Sequence, residues 1–219
     1  EADAFAAQYP KDSACADLEP KAGLILNKTA TDPVRNEDGS YTITYTVTGQ
    51  ANSSNQFTLE NVRIADSLNN PDSPTPEAVL PYVQYVEGSF LYYPQASASG
   101  TLESLTPCFN EDGKGFSVNL GSFTTGQGFC IRYQVTVPLE ALVVTSGQRV
   151  NVNNRAVAFA DNAKAEGFEY LGSADRNKYI QYSHWASKVV GEALAEDYSV
   201  LIGGTVFDAT GTELAPETN

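Results

Sequence analysis

The sequence predicts an all-β protein, an antiparallel sandwich of about eight strands. Residues that favour pleated, half-buried strands are abundant, among them Val, Thr and 12 Tyr. Apolar side chains recur at every second position, as where Ile43, Tyr45 and Val47 alternate with threonines. Turn residues separate such segments at short intervals, and no convincing helix lies between them. Many short strands without intervening helices are typical of two sheets packed face to face.

The predicted strands follow one another from residue 23 to residue 160. Turn signals mark their ends: Glu-Asp-Gly at 37–39 precedes the second strand, Asn-Asn-Pro at 69–71 follows the third, and Thr-Gly at 125–126 lies inside the hairpin of the sixth and seventh. Alternation between these turns places the strands over 23–31, 40–49, 56–67, 79–86, 88–94, 115–121, 127–138 and 148–160.

The segments outside this run carry weaker patterns. Residues 1–22 are Ala-rich and acidic and contain Pro10 and Pro20, which predicts an irregular leader before a domain over 23–162. Residues 163–219 form a predicted C-terminal extension, in which 183–196 is at best a poor helix.

One strong strand signal lies within this extension, over 199–208. Its apolar side chains include Val200, Ile202, Val206 and Phe207, and little follows that could pair with it. Such an orphan strand either adds to the sandwich, begins a further module, or completes a neighbouring subunit by strand addition.

Composition limits the classes of partner. The chain has 219 residues, of which 42% are hydrophobic and 18% charged, so it is globular rather than disordered. A net charge of −14 argues against nucleic acid and anionic membranes as partners. No stretch approaches the roughly 20 apolar residues of a membrane helix, so membrane insertion is not predicted. The chain begins at Glu1 and contains no Met, which predicts a processed or excised piece of a longer precursor.

Three cysteines are present, and their spacing matches no metal site. An odd number allows one disulfide with one thiol left over. Cys108 with Cys130 is the favoured pair, because the segment between them resembles a compact hairpin; Cys15 with either of them stays open. Cys130 is predicted to face outward, since Ile131 and Tyr133 take inward positions.

Catalytic turnover is not predicted. The single histidine, His184, has no partner pattern, and neither a nucleophile elbow nor a glycine-rich phosphate loop is present. No cofactor is predicted either. The turns at 36–39 and 110–113 offer oxygen ligands of the kind calcium prefers, but neither has EF-hand spacing, and ordinary polar turns are the favoured interpretation.

Three polar residues occupy strand positions where alternation calls for apolar ones. Lys28 follows Leu24 and Leu26, Asp66 follows Ile64, and Asn154 follows Val152. Each should therefore point into the core, where an isolated charge is too costly to keep. A lysine, an acid and an asparagine in one dry core are the ingredients of a spontaneous isopeptide bond between Lys28 and Asn154.

Several segments resemble a known family. They are LILNKTATD, SYTITYTVTG, LENVRIADSL, VNLGSFTTGQGFCIRYQVTVP and VNNRAVAFAD, and in this order they are similar to the conserved repeat domain of bacterial surface proteins called domain of unknown function eleven. The likeness covers about residues 22–162, and the family's first-strand Lys, Asp and closing Asn match Lys28, Asp66 and Asn154. The tail IGGTVFDATGTE is similar to the opening of a serine-aspartate-repeat B-type domain. The resemblance implies an immunoglobulin-like sandwich, an extracellular location and a tandem or polymeric setting.

These observations predict a chemistry and a function. Burial should leave Lys28 as a neutral amine and Asp66 as a neutral acid, so that the amine attacks the Asn154 carbonyl while Asp66 hydrogen-bonds that carbonyl and moves protons. The competing interpretation leaves the three residues unbonded in separate polar contacts. The predicted function is a structural subunit or stalk module of a bacterial extracellular filament or adhesin, joined head-to-tail to copies of itself or to adjacent modules. The alternative is a glycan- or ligand-binding module that uses Tyr92 and Tyr93.

Overall fold

The computed structural model describes residues 23–143, 149–164, 169–181, 199–202, 205–208 and 213–214. Nearly all of its regular structure is antiparallel β-sheet, so the predicted all-β antiparallel sandwich is confirmed. In chain order the elements are β1 (Leu24–Ala30), β2 (Val34–Arg35), β3 (Tyr41–Ala51), β4 (Leu59–Ser67), β5 (Gln84–Tyr85), β6 (Leu91–Tyr93), β7 (Cys108–Phe109), β8 (Gly115–Phe123), β9 (Gly128–Val137), α1 (Leu139–Val143), β10 (Arg149–Phe159), β11 (Gly172–Gln181), β12 (Ser199–Ile202), β13 (Thr205–Asp208) and β14 (Glu213–Leu214).

Two sheets form the sandwich. The first has the order β1-β3-β9-β5, with β2 paired to β3 and β6 paired to β9. The second has the order β11-β10-β4-β8-β7. Alternate side chains of the long strands fill the space between the sheets, and the largest of these fully buried side chains are Tyr45, Tyr133, Phe116, Phe123 and Phe129.

The predicted strand over 79–86 is mostly wrong. Only Gln84–Tyr85 is a strand, and the N–H groups of Val79 and Leu80 both donate to the Pro76 carbonyl, which makes a turn. Val79 and Val83 are nevertheless buried, so the apolar pattern reports burial here rather than strand pairing. Pro81, which has no N–H to donate to a ladder, lies between them.

The sandwich continues past the predicted boundary at residue 162. β11 pairs with β10 over ten positions, from Arg149 opposite Gln181 to Ala158 opposite Gly172. Leu171 and Ile180 are buried in the core. Strand β11 is at the edge of the second sheet and is rich in polar residues, which is why its apolar alternation is too weak to predict it.

The predicted orphan strand over 199–208 is two strands. β12 and β13 pair with each other, with Val200 opposite Phe207 and Ile202 opposite Thr205, and β14 pairs with β13. The backbone of this segment therefore finds partners within a small three-stranded sheet of its own. The predicted leader over 1–22 and the predicted helix over 183–196 lie outside the described residues, as do the side chains of the predicted assembly strand.

Among the residues that the structure describes, no helix is both long and apolar enough to span a bilayer.

Candidate functional site

Three strands bring the predicted polar residues to one place between the sheets. Lys28 lies on β1 of the first sheet, whereas Asp66 and Asn154 lie on β4 and β10, which are neighbours in the second. Lys28 and Asp66 are each 3% exposed and Asn154 is 0% exposed. Strand alternation points all three inward from opposite sheets, so they meet across the sandwich.

Lys28 is the centre of this cluster. Its Nζ atom donates to Asn154 Oδ1 at 2.6 Å and to the Tyr133 hydroxyl at 2.8 Å. It also forms a hydrogen-bonded ion pair with Asp66 Oδ2. The amine therefore lies beside the side-chain amide carbonyl that it would have to attack.

Two tyrosines complete the hydrogen-bond network. The Tyr133 hydroxyl donates to Asp66 Oδ2 at 2.7 Å and accepts from Asn154 Nδ2 at 3.3 Å, and the Tyr85 hydroxyl donates to Asp66 Oδ1 at 2.9 Å. Asp66 was expected to hydrogen-bond the Asn154 carbonyl, but its hydrogen bonds among the described residues go to Lys28 and the two tyrosines.

Strand alternation predicts Tyr133 in the core without a functional role, and no pattern in the sequence places Tyr85 in this cluster. The only sequence feature that points to a role for Tyr133 is its hydroxyl group, carried at an inward position of a central strand. An aromatic ring at such a position is usually a packing residue, so the signal does not distinguish the two roles.

Aromatic rings enclose the cluster. The Lys28 Nζ atom lies 5.3 Å from the centroid of Tyr45 and 5.5 Å from that of Tyr133, and these two rings stack on each other with centroids 5.7 Å apart. Phe116 meets Tyr133 edge-on at 5.2 Å, and Tyr85 packs against both. Such a shell excludes water and lowers the local dielectric, which strengthens every electrostatic interaction within it.

Burial changes the protonation of the cluster. It lowers the pKa of Lys28 from the ordinary 10.5, although the Asp66 charge acts in the opposite direction. It raises the pKa of the Tyr133 and Tyr85 hydroxyls well above 10.0, and the charge of Asp66 adds to that shift. The lysine is thus moved toward its nucleophilic neutral form, and both phenols stay protonated at neutral pH.

Tyr85 and Tyr133 are among the residues that line a cleft of about 670 Å³. Phe90, Leu105, Phe109 and Phe116 supply much of its apolar lining. Lys114 lies on its rim, where its ammonium donates to the carbonyls of Pro81 and Val83 at 2.8 and 2.7 Å. The cleft borders the buried cluster, because two of its lining residues, Tyr85 and Tyr133, also hydrogen-bond to Asp66.

The predicted disulfide is absent, because Cys108 and Cys130 are both free. Cys108 is exposed on β7 at the edge of the second sheet, whereas Cys130 lies on β9 in the first sheet. Cys130 lies outside the hydrophobic core cluster that contains Ile131 and Tyr133, yet it is fully buried, and this burial raises the pKa of its thiol. Its strand partners Thr48 and Tyr93 flank it on either side. Cys15 lies outside the described residues.

Tyr92 and Tyr93 do not form the exposed surface that the predicted glycan-binding site would require. Tyr92 and Tyr93 lie on β6 beside β9, and each is 7% exposed. Side chains so buried cannot present their ring faces to a sugar. Tyr92 belongs instead to the hydrophobic core.

The Asp carboxylates of the two acidic turns accept hydrogen bonds from residues of the same turns. Asp38 accepts from the backbone and hydroxyl of Ser40, and Asp112 accepts from the backbone of Lys114. These are ordinary Asx turns. Within the described ranges no three His, Cys, Asp or Glu side chains are grouped to hold a metal ion, and His184 lies outside those ranges.

Comparisons with known proteins give structural likeness only. Neither a protein-family model nor a curated protein matches the chain. The BcpA major pilin subunit of Bacillus cereus aligns at 8% identity and a TM-score of 0.44, over 90% of this chain and 64% of that one. The Corynebacterium diphtheriae major pilin SpaA, described as a modular pilus assembly with stabilizing isopeptide bonds, aligns at 13% and 0.42, over 72% and 38%. The collagen-binding domain of a Staphylococcus aureus adhesin aligns at 10% and 0.38, over 73% and 96%.

Proposed function

We propose that this chain is a structural module of a bacterial extracellular filament or adhesin, stabilised by an isopeptide bond between Lys28 and Asn154. The observation that carries the proposal is the Lys28 amine, which lies 2.6 Å from the Asn154 carbonyl oxygen inside a dry aromatic shell. The extracellular setting is what the resemblance to the surface-protein repeat domain implies.

The proposed reaction is a single intramolecular transamidation. A proton passes from the Lys28 ammonium to the Asp66 carboxylate with which it is paired, which leaves a neutral amine. The Nζ lone pair attacks Asn154 Cγ and forms a carbon–nitrogen bond. The bond from Cγ to Nδ2 then breaks, one amine hydrogen is transferred overall to the departing nitrogen, and ammonia leaves. Burial on fixed strands supplies the near-attack geometry.

The bond would join the two sheets. Its ends lie on β1 and β10, 126 residues apart in the chain. A cross-link closing a loop of this size restricts the unfolded chain by about 4–5 kcal/mol, by analogy with disulfides. Pulling force entering at β1 would cross to β10 through a covalent bond instead of unzipping the strands between them, which suits a protein that holds cells or subunits together.

Assembly partners are copies of this chain or adjacent modules. The sequence similarity of 202–213 to the start of a further adhesin module supports a tandem arrangement. Strand addition at the outer edge of β12, whose described partner is β13 on one side, would give a heterologous contact that extends rather than closes.

The mass of the intact full-length chain tests the bond directly. We expect the chain to be lighter than its sequence mass by one ammonia molecule, and a digest to contain a branched peptide that joins Lys28 to Asn154. Lys28→Met and Asn154→Ala should each show the full sequence mass.

Lys114→Met is the matched control, because it removes a partly buried lysine whose hydrogen bonds within the described ranges go to the backbone carbonyls of Pro81 and Val83. This variant should keep the ammonia loss. An unmodified mass for the natural chain, or a branch at another lysine, would refute the proposed bond.

A further inference from the structure

The departing nitrogen of Asn154 needs a proton. An amide nitrogen does not leave as an anion, so the bond to Cγ breaks only when Nδ2 has gained a hydrogen. Asp66 holds the proton taken from Lys28, but its hydrogen bonds among the described residues do not reach Asn154. Lys28, Asp66 and Asn154 are buried, so a neighbouring protein group is well placed to carry the proton across.

One oxygen atom touches all three reacting residues. The Tyr133 hydroxyl lies 2.7 Å from Asp66 Oδ2, 2.8 Å from Lys28 Nζ and 3.3 Å from Asn154 Nδ2. A phenol can accept one proton while it gives up another, so an oxygen in this position connects the acid to the leaving group.

We infer that Tyr133 is a catalytic proton relay between Asp66 and the Asn154 nitrogen, an inference that rests on the isopeptide reaction proposed above. Once Asp66 has taken the proton of Lys28, its O–H turns toward the Tyr133 oxygen. The phenolic hydrogen, which points to Asp66 in the resting cluster, is then free to face Nδ2.

The proton count closes. After Nζ has attacked Cγ, Asp66 gives its proton to the Tyr133 oxygen as the phenol gives its own to Nδ2. The bond from Cγ to Nδ2 breaks, the carbonyl re-forms and ammonia departs. Asp66, now a carboxylate, removes the extra proton from the new Lys28 amide nitrogen. The phenol ends as it began, and no oxidant, reductant or water is consumed.

Two features of the site favour this role for Tyr133. Its hydroxyl is deeply buried and stays neutral at physiological pH, so it passes a proton without losing one to solvent. Its ring is held by stacking on Tyr45 and by edge contact with Phe116, which keeps the oxygen in line with the three partners.

Tyr85 is a matched control within the same cluster. Its hydroxyl donates to Asp66 Oδ1 at 2.9 Å but makes no described hydrogen bond to Lys28 or Asn154. Removing this hydroxyl therefore weakens the support of Asp66 without interrupting the path to the leaving nitrogen.

The test follows bond formation with time in the full chain. Unfolded, unbonded chain produced under denaturing conditions is refolded, samples are quenched, and the fraction lighter by one ammonia is read from the intact mass. Because general acid catalysis contributes about 10²–10⁴-fold, we expect Tyr133→Phe to slow bond formation by at least about 10²-fold. Tyr85→Phe removes one hydrogen bond to Asp66 but leaves the path to Nδ2 in place, so it should slow bond formation less than Tyr133→Phe does.

A second measurement separates proton transfer from a structural effect. Fluorotyrosine at position 133 keeps the ring and hydroxyl but makes the phenol a stronger acid, so at a fixed neutral pH it should give its hydrogen to Nδ2 more readily and speed bond formation. Circular dichroism confirms that each variant is folded before its rate is compared.

The outcomes are distinct. Natural rates in Tyr133→Phe, equal slowing in Tyr85→Phe, or an unchanged rate with fluorotyrosine at position 133 would overturn the relay while leaving the bond intact. A natural chain that never loses ammonia would overturn the bond and the relay together.

Discussion

Lys28 is a buried charged residue whose ion pair with Asp66 does little to stabilise the fold. A buried ion pair recovers little of the free energy lost when both charges leave water, so the Lys28–Asp66 pair is a weak source of stability while it stays charged. An amide bond would remove that charge altogether. The proposed isopeptide bond would therefore replace a buried ion pair with a neutral amide.

The lowered pKa of Lys28 predicts how stability depends on pH when the bond cannot form. Asn154→Ala blocks the bond and keeps Lys28 and Asp66. Folded Lys28 then binds fewer protons than unfolded Lys28 between its lowered pKa and 10.5, so the free energy of unfolding should rise with pH across that window. Urea midpoints measured below pH 10, where the tyrosines do not yet titrate in the unfolded chain, give the slope.

The matched control carries Lys28→Met and Asp66→Asn in the same Asn154→Ala background. Every other titrating group, including the Lys114 ammonium whose pKa is also lowered by burial, is kept. Because Lys114 adds the same rise to both proteins, the free energy of unfolding of the control should still rise with pH, but less steeply by the contribution of Lys28. Parallel curves for the two proteins would contradict the assignment.

At the scale of single elements, β11 determines where the sandwich ends. It covers the open edge of β10, and its Lys178 side chain reaches the Asp32 carboxylate after β1 at 2.8 Å. Gly172 passes so close to the backbone of β1 that an added Cβ would lie 2.8 Å from the Leu24 carbonyl oxygen. Strand β11 thus belongs to the domain although its own sequence is mostly polar.

Because β11 is part of the sandwich, shortening its buried side chain at Ile180 should destabilise the whole domain. Ile180→Ala should lower the free energy of global unfolding by about 2–5 kcal/mol, because the removed methylenes leave a cavity between the sheets. Ile25→Ala is the matched control, since Ile25 on β1 is 63% exposed and its removal should change stability by less than about 1 kcal/mol. Denaturant unfolding of both variants measures the difference, and equal effects would place β11 outside the cooperative unit.

At the scale of the whole molecule, the proposed bond divides the chain mechanically. The residues between Lys28 and Asn154 lie within the cross-linked loop, whereas β11 and the small sheet of β12, β13 and β14 follow it. Force entering from the C-terminal side would therefore act on β11 before it reaches the bond. Strand β11, which forms the edge of the second sheet, would therefore not be protected by the bond from unfolding under this force.

Deleting residues 199–219 tests the assembly proposal. If the edge of β12 joins one subunit to the next, the deletion should abolish head-to-tail polymers while the sandwich stays folded, because β12 pairs within its own sheet and not with β1 to β11. Size-exclusion chromatography and electron microscopy measure the polymers. Removing only 215–219, which lie beyond β14, should leave assembly unchanged, and polymers that survive the longer deletion would end the strand-addition proposal.

Local pattern alone determined the fold class, the long strands and the inward direction of Lys28, Asp66 and Asn154. Alternation is a property of adjacent residues, so it can be read without knowing which strands pair. The same signal failed at 79–86, where burial came from a turn, and at β11, where pairing with β10 outweighed a polar sequence.

Tertiary structure alone decided which groups touch. Tyr133 meets Lys28 across 105 residues of chain and Asp66 across 67, and no local pattern distinguishes its hydroxyl from those of other core tyrosines. The two cysteines are likewise kept apart by their sheets rather than by their spacing. Hydrogen bonds form over about 3 Å, so the order of strands in two facing sheets decides them, whereas alternation in sequence decides only the face.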